Sequence, residues 1–409
     1  MALFAAAIDS GCYTDATRRI LAIGNTAETP ETSARIEDMP GFAELSARFD
    51  RIVSFDAAVA PLHPAEWRVR AFDAPVWERQ WRAWWELGTQ PVGLVLDGLG
   101  AGQSAALAEV FADAQLEVCA GGAEVYGPTP ESLPRQVALR VRRLLHLELL
   151  AGTAPRALSE LGVPALALPA EAVRAVVRTA EPAPGPTRYA RESVLLVAPT
   201  EPELCQLLLH ARESGYGPAV AVSCAPGGRL RALERTAREQ SAPLTVIEPA
   251  QLTESLYETL GPAALATADA SLLLRARALY GVTPLPHPAA PHTPQTALAA
   301  ASFAAAPDLA ALADALAYTH RPRAYAALRA QAAAYLRTAP RTPYIPRRRL
   351  IALGLPGGAP APLRPLLRTD LLPRAARWTL RSHTLRRTAK RLLARSGAAR
   401  RVAGRVKGL

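Results

Sequence analysis

Short apolar segments alternate with helical segments along most of the chain, and this pattern limits the fold more than any other feature. The first series of strand-length apolar runs lies at 19–24, 51–55, 92–96, 116–120 and 164–168. A second series lies at 193–198, 218–222, 244–247 and 263–266. Strands that alternate with helices form parallel sheets with helices packed on their faces. The sequence therefore predicts an α/β protein made of two Rossmann-like units.

A proline-rich segment separates the two series, with the sequence Glu181-Pro182-Ala183-Pro184-Gly185-Pro186. This composition is typical of a linker. We predict an N-terminal domain over 1–180, a linker over 181–190 and a second domain over 191–340. Two domains joined in this way face each other across a cleft, which is a common place for a ligand.

The C-terminal segment 341–409 differs sharply in charge from the rest of the chain. It carries 18 of the 47 basic residues and one of the 36 acidic residues, which leaves a net charge of −6 for residues 1–340. Within it, Trp378, Leu385 and Leu392 recur every seven residues between arginines. This basic tail predicts a helical extension on an anionic membrane surface or a solvated segment of like charges. Phosphate contacts with nucleic acid are the least favoured interpretation.

The four cysteines, Cys12, Cys119, Cys205 and Cys224, form no closely spaced pair. Their spacing argues against a zinc site or a disulfide framework and favours a reducing compartment. No apolar run approaches the roughly 18 residues of a membrane span, and the N-terminus lacks the basic region of a signal peptide. We expect a cytoplasmic protein, peripheral at the inner face of the cell membrane if the tail binds there.

The segment 119–149 combines the features expected of a binding loop. A strand ends at Ala120, and Gly121-Gly122 and the turn sequence Tyr126-Gly127-Pro128-Thr129 follow it. Arg140, Arg142 and Arg143 then place fixed positive charge in the approach to the next strand. Ligands of open α/β sheets bind outside the carboxyl ends of the strands, so this loop is a candidate site. An ordinary turn with solvated arginines is the alternative.

Two further features of the first half allow both a functional and a structural interpretation. Asp97 ends a strand before the glycine-rich segment 98–102, so it is either a catalytic carboxylate or a helix cap. The glycine-rich segment lacks the lysine of a nucleotide-binding P-loop. Tryptophans at 77, 81, 84 and 85 share one helix face, and such a stripe predicts burial in the core rather than sugar stacking.

Several motifs, in order over residues 5–290, resemble the bacterial polysialyltransferase-family glycosyltransferases of the actinobacterial branch. They are Met39-Pro40-Gly41-Phe42, Ala60-Pro61-Leu62-His63-Pro64, Val76-Trp77-Glu78-Arg79, Tyr126-Gly127-Pro128-Thr129, 140–147, Leu161-Gly162-Val163 and Ala278-Leu279-Tyr280-Gly281. The resemblance implies a glycosyltransferase-B fold, with the acceptor side in 1–180 and the nucleotide-sugar side in 191–340. It also implies CMP-sialic acid as donor, a glycan acceptor, and no metal or other cofactor.

The chain departs from the family pattern at the positions expected to carry chemistry. Gly121-Gly122 stands where the family has Asp-Gly, and Val222-Ser223 stands where it has the phosphate-binding His-Pro pair. The family's Ser-Thr pair falls on Ala270-Ser271. Met1 already lies inside the family's first helix, so the usual first strand is expected to be missing from this sequence.

Substitute residues are predicted from what remains near these positions. We expect Asp97 or Glu124 to supply the carboxylate base. Ser223 and Ser271 are expected to bind the nucleotide. His63, Gly121, Gly122, Tyr126 and Arg142 are expected to contact substrate. His287, in a proline-rich loop, is a weaker substitute for the missing histidine, and His146 is expected to be a satisfied core histidine.

These expectations lead to two hypotheses of different classes. One is a sialyltransferase-like enzyme that transfers a sugar to a cell-surface glycan. The other is a catalytically inactive relative that binds a glycan or works as an interaction module at the membrane surface.

Overall fold

The computed structural model describes residues 1–25, 27, 35–65, 67–98, 102–180, 192–223, 230–247, 253–288, 293–306, 308–339 and 343–358. The chain divides into two compact units, Met1–Ala332 and Ala333–Leu409. The predicted linker at 181–190 lies outside the described residues. So does most of the basic tail, including its predicted amphipathic helix at 372–395.

The strands are β1 Ile20–Ile23, β2 Arg51–Ser54, β3 Gly93–Leu96, β4 Gln115–Ala120, β5 Val141–Leu147, β6 Ala165–Leu168, β7 Val194–Leu196, β8 Ala219–Val222, β9 Leu244–Ile247, β10 Ala264–Thr267 and β11 Thr283–Pro286. The helices up to the second sheet are α1 Ala2–Asp9, α2 Phe42–Ser46, α3 Phe55–Val59, α4 Ala74–Trp84, α5 Gln103–Val110, α6 Arg135–Ala138 and α7 Ala170–Thr179. The later helices are α8 Glu201–Glu213, α9 Arg231–Glu239, α10 Thr253–Leu260, α11 Ala270–Tyr280, α12 Pro294–Phe303, α13 Leu309–His320, α14 Arg329–Thr338 and α15 Arg347–Leu353.

The first half, residues 1–180, contains two parallel sheets. One has the order β3-β4-β5-β6, and the other pairs β1 with β2. The central strands β4 and β5 are the most buried, as expected for parallel strands covered on both faces. The prediction of an α/β fold with parallel sheets is confirmed.

The second half, residues 192–306, forms a parallel sheet with the order β11-β10-β7-β8-β9. Alternate residues of its central strands enter two separate cores. One core joins Leu196 to leucines of α8 and α9, and the other joins Leu195 to α10 and α11. Strands β8 and β9 are added on one side of β7, and β10 and β11 are added on its other side. The point between β7 and β10, where the order of addition changes, is where open α/β sheets leave a crevice for ligands.

The tryptophans of α4 form an aromatic core rather than an open sugar platform. Trp81 is fully buried and stacks on Trp85 with ring centroids 4.9 Å apart. Phe55 meets the same ring edge-on at 5.7 Å. Trp84, at 48% exposure, is the member of the stripe that faces outward. Burial of each such side chain contributes about 1.5–3 kcal/mol, which fixes α4 against the first half.

Strand β11 is absent from the sequence prediction because two of its four residues are prolines. It is an edge strand that pairs only with β10. The amides of Thr283 and His287 donate to Ala263 and Thr267 of the β10 side. Pro284 and Pro286 occupy the alternate positions, where the backbone nitrogen faces away from β10. The lack of an N–H group at these positions therefore removes no hydrogen bond to β10. Proline is tolerated in this place and not in a central strand.

Tyr325, which follows α13, is bonded to the loop after β4. It is 3% exposed, and its hydroxyl lies 3.0 Å from the amide of Thr129 and donates at 2.8 Å to Glu160. Arg321 donates to the carbonyl of Thr129, and Arg156 pairs with Asp314 of α13 at 2.5 Å. This Tyr325 network accounts for the Tyr126-Gly127-Pro128-Thr129 motif, because Thr129 is the residue through which α13 is anchored.

No helix among the residues that the structure describes is long and apolar enough to cross a membrane.

The Tyr325 network predicts that Tyr325→Phe destabilises the protein by about 1–3 kcal/mol, since the change leaves the buried Thr129 amide and Glu160 carboxylate short of a partner. Denaturant unfolding measures the difference. Tyr216→Phe, which removes a hydroxyl from a half-buried ring elsewhere, serves as control and should stay within about 0.5 kcal/mol. Equal stability of Tyr325→Phe and wild type would contradict the assigned role.

Candidate functional site

The hydroxyl of Ser271 joins the two halves of the first unit. Ser271 lies in the first turn of α11, four residues beyond the end of β10. Its Oγ accepts a hydrogen bond from the amide of Ala123 at 2.9 Å and donates to Oε2 of Glu124 at 3.4 Å. Ala123 and Glu124 belong to the loop after β4. Two residues predicted for different roles, the carboxylate base and the nucleotide contact, therefore meet at one point.

The loop after β4 can approach α11 because position 122 has no side chain. The amide of Gly122 donates to Oε1 of Glu124 at 3.1 Å. A Cβ at this position would overlap the Glu124 carboxylate and lie 2.8 Å from Cβ of Ser271. At Gly121 a Cβ would lie 3.0 Å from Leu3. Gly122 has φ −123°, an extended conformation that any residue can adopt, so the backbone angle does not require glycine there. The glycines serve close packing instead.

Two carboxylates cluster at the N-terminus of α11. Asp269 caps the helix and accepts from the amides of Ser271 at 2.7 Å and Leu272 at 3.3 Å. Glu124 reaches the same end through the Ser271 hydroxyl. The positive end of a helix dipole stabilises negative charge, so the arrangement is favourable. It also means that the chain's own carboxylates occupy the position where an anionic ligand would bind.

Asp97 follows β3 and is exposed. It accepts a hydrogen bond from the Ser104 hydroxyl at 2.5 Å, while Gly102 is the N-cap residue of α5. The alternative prediction, that Asp97 caps this helix, is therefore wrong in detail. None of the hydrogen bonds recorded within the described ranges links Asp97 to Glu124 or Ser271. Of the two candidate carboxylates, Asp97 is hydrogen-bonded within the first half, and Glu124 is hydrogen-bonded to Ser271 of the second half.

Ser223 lies at the carboxyl end of β8, and its amide donates to Ile247 of β9 at 2.9 Å. It is 5% exposed. One strand, β7, separates β8 from β10, so the ends of the two strands that lead to Ser223 and Ser271 lie about 10 Å apart at the same edge of the sheet. His287 directly follows β11, the edge strand beside β10. It is 8% exposed, and its Nε2 lies 3.0 Å from Oε1 of Gln206 on α8.

Tyr126 is 1% exposed and bonded to backbone. Its hydroxyl donates to the carbonyl of Leu147 at 3.0 Å and accepts from the amides of Leu149 and Leu150 at 2.8 and 3.2 Å. Burial raises the pKa of this phenol. In this structure Tyr126 therefore fixes the loop after β5 rather than facing a substrate.

Arg140, Arg142 and Arg143 lie around the start of β5, whereas the loop after β4 lies beside the end of β5. Ala120 pairs with His146, so the Gly121–Glu124 loop is level with the end of β5. Arg142 is exposed near the start of β5. It lies about 13 Å earlier along the strand than His146. The expectation that Arg140, Arg142 and Arg143 stand beside the loop is corrected, because parallel strands enter the sheet at the edge opposite to their exits.

The neighbouring arginines have structural partners at that edge. Arg140 donates to the carbonyls of Phe111 and Ala112 at the end of α5, at 2.8 and 2.7 Å. Cations at this end of a helix are stabilised by its dipole. Arg143 pairs with Glu117 at 2.7 Å. These contacts account for Arg140 and Arg143 without a ligand.

A cluster that the sequence analysis missed lies at the carboxyl ends of β1 and β2. The amide of Asn25 donates to both carboxylate oxygens of Asp56, at 3.0 and 3.1 Å. Burial raises the pKa of Asp56, although the Asn25 hydrogen bond and the nearby His63 oppose the shift. His63 accepts through Nδ1 from the amide of Ala65 at 3.2 Å. The position of Asp56, two residues beyond a strand, was the signal available in the sequence.

His146 is buried within β5, and its Nδ1 lies 3.0 Å from the carbonyl of Leu147. Since a carbonyl oxygen only accepts, Nδ1 carries the proton in this contact. His146 is therefore a hydrogen-bonded histidine of the core, as its apolar surroundings in the sequence predicted.

Within the described part of the chain, no group of three or more His, Cys, Asp or Glu side chains is placed to hold a metal ion. Comparison with family models and with curated proteins gave no match. No solved structure matches the chain either.

The bridge through Ser271 predicts that Ser271→Ala accelerates amide hydrogen exchange in the loop 121–127. The Ala123 amide loses its acceptor, and Glu124 loses one of its two hydrogen bonds. Exchange mass spectrometry of full-length protein measures the effect. Ser104→Ala, which removes the Asp97 bond instead, is the control and should leave exchange in 121–127 unchanged. Equal exchange in Ser271→Ala and wild type would show that the bridge is not formed in solution.

Proposed function

We propose that the chain is a sialyltransferase-like glycosyltransferase that transfers a sugar from a CMP-linked donor to a cell-surface glycan. The observation that supports it best is the meeting of Glu124 and Ser271 at 3.4 Å. The proposed enzyme binds the donor nucleotide in the second half and the acceptor in the first, in the manner of glycosyltransferase-B folds. It acts at the cytoplasmic face, with residues 341–409 directed to an anionic membrane surface.

The position of Ser271 supports a phosphate contact. It stands in the first turn of an 11-residue helix, after a strand that borders the reversal point of a parallel sheet. Helix N-termini at such points are suited to bind phosphates, since their amides and dipole favour negative charge. In the proposed enzyme the Ser271 hydroxyl donates to the leaving phosphate of CMP. Ser223, at the exit of β8, contacts the nucleotide further along the same edge.

Glu124 is the proposed general base. Its carboxylate is part of a short loop at the end of β4, where it accepts hydrogen bonds from the Gly122 amide and the Ser271 hydroxyl. In the proposed reaction it takes the proton of the acceptor hydroxyl as the acceptor oxygen bonds to the anomeric carbon. The bond from that carbon to the CMP phosphate breaks, and CMP leaves with the electron pair. General-base assistance of this kind contributes about 10²–10⁴ in rate.

The contact between Glu124 and Ser271 must open before this reaction can take place. A donor sugar has to lie between base and leaving phosphate, and two groups in direct hydrogen bond leave no room for it. The phosphate then replaces the Glu124 carboxylate on Ser271, and the released carboxylate faces the acceptor. A hydrogen bond to a charged group contributes about 1.5–3 kcal/mol net. The exchange replaces one such bond to Ser271 by another, because carboxylate and phosphate are both anionic, so its net free energy is small.

A competing function is that of a catalytically inactive relative that binds a glycan or a membrane-associated partner. It is favoured because the hydrogen-bond donors of the site already have acceptors within the protein. Asp269 accepts from the amide of Ser271 at the start of α11, and Glu124 accepts from the Ser271 hydroxyl. The histidine expected of the family is also replaced, at Val222-Ser223. Such a protein would not release CMP from CMP-sialic acid under any condition.

The test is release of CMP from CMP-sialic acid by full-length protein, with and without a glycan acceptor. We expect Glu124→Gln to lower the rate by about 10²–10⁴ with little change in donor binding. Asp97→Asn is the matched control, since it removes the other candidate carboxylate, and should change the rate by less than about tenfold. Wild-type activity no higher than that of Glu124→Gln would support the inactive relative and overturn the transferase.

A further inference from the structure

A second concave site lies at the opposite end of α11, where the Ala278-Leu279-Tyr280-Gly281 motif meets α7 and α10. The cavity has a volume of about 600 Å³, within the range of small-molecule sites. Its polar and aromatic wall consists of Arg174, Arg178, Tyr257, Glu258, Arg277 and Tyr280. Tyr280 follows Ser271 by nine positions on α11, which is about 14 Å along the helix axis. The cavity is therefore distinct from the Glu124–Ser271 contact.

The charged groups of this α11 end cavity leave a positive surplus. Arg174 and Arg178 share Glu171 at 2.6 Å each, and Arg178 also lies 3.5 Å from Glu258. Arg277 donates to the carbonyl of Ser302 at 2.8 Å. Three guanidinium groups thus stand against two carboxylates. Each guanidinium carries five N–H donors, so these bonds use only part of the donors available.

Polar atoms without a protein partner gather at the same place. The hydroxyls of Tyr257 and Tyr280 and the Nε of Arg174 are buried and have no hydrogen-bond partner among the residues that the structure describes. Tyr257 is 4% exposed, and the two rings lie 5.1 Å apart. Buried polar groups are almost always satisfied, so three exceptions around one cavity point to a ligand that supplies the missing acceptors.

We propose that the α11 end cavity binds a small anionic molecule through a phosphoryl or carboxylate group. The guanidinium groups supply charge-assisted donors to its oxygens, and the tyrosine hydroxyls donate to the same group. The aromatic rings contact the rest of the molecule. The site lies between α7 of the first half and α10 and α11 of the second, so its ligand contacts both halves. This proposal does not rest on the glycosyltransferase function.

The test uses full-length protein labelled with 3-fluorotyrosine, so that the two ring signals report on the cavity alone. The chain has ten tyrosines, and Tyr257→Phe and Tyr280→Phe assign the two signals. Each variant removes an unpartnered hydroxyl and is not expected to disturb folding. Pyrophosphate and tricarballylate are titrated separately at constant ionic strength. A saturable shift of both signals with pyrophosphate assigns phosphoryl ligands, and a shift with tricarballylate assigns carboxylated ones.

Specificity is checked with the double variant Arg178→Gln and Arg277→Gln. We expect it to bind the active probe at least about tenfold more weakly, since charge-assisted hydrogen bonds are lost. Arg235→Gln, an exposed position on α9, is the matched control and should bind as wild type. No shift of the Tyr257 and Tyr280 signals with either probe, or equal affinity of the double variant and wild type, would overturn the proposal.

Discussion

The Ser271 hydroxyl is the contact on which the candidate site depends, because it accepts from the first half of the first unit and donates to it at the same time. Its acceptor role fixes the Ala123 amide, and its donor role orients the Glu124 carboxylate. Gly122 makes this approach possible, since any side chain there would separate the loop from α11. Strands β4 and β10 both end near this point, and their directions bring Glu124 and Ser271 together.

The connections around the β4 loop differ in strength, and the difference suits a protein that opens. At Thr129, the Tyr325 network combines several hydrogen bonds with an ion pair of Arg156 and Asp314 whose side chains are 17% and 14% exposed. At Ser271 the connection is a pair of hydrogen bonds at a half-buried position. Breaking the second costs far less than breaking the first, because buried charges cannot be left unpaired. In the proposed enzyme the contact at Ser271 is therefore the one that opens, while Thr129 stays anchored.

Much of this architecture can be predicted from the sequence. The strand at 116–120, the helix that begins near Ser271 and the burial of Trp81 all follow from periodicity and turn residues. Strand β11 does not, since Pro284 and Pro286 disfavour a strand unless it is known to be an edge. The position of Arg142 relative to the loop after β4 does not follow from closeness in sequence either. In a parallel sheet the end of one strand and the start of the next lie at opposite edges, so the loop after β4 and the start of β5 are about one strand length apart.

Glu124 and Ser271 could be singled out as candidates from the sequence, but their contact could not be predicted. Glu124 and Ser271 are 147 positions apart, and no local pattern indicates that they touch. The function of Gly122 likewise depends on what packs against it from the second half. Asp56 was missed because it lies within the first turn of α3, where a carboxylate is expected as a normal helix residue. Its bond to Asn25 requires knowledge of the pairing between β1 and β2.

The most direct test of the central claim is calorimetric titration of the full-length protein with CMP, CMP-sialic acid, UDP and GDP. The proposed role of Ser271 predicts saturable binding of the cytidine ligands, weakened in Ser271→Ala, and no comparable binding of UDP or GDP. Absence of binding to any of the four nucleotides would contradict the account, because a transferase of this kind has to hold its donor before the Glu124 carboxylate can act.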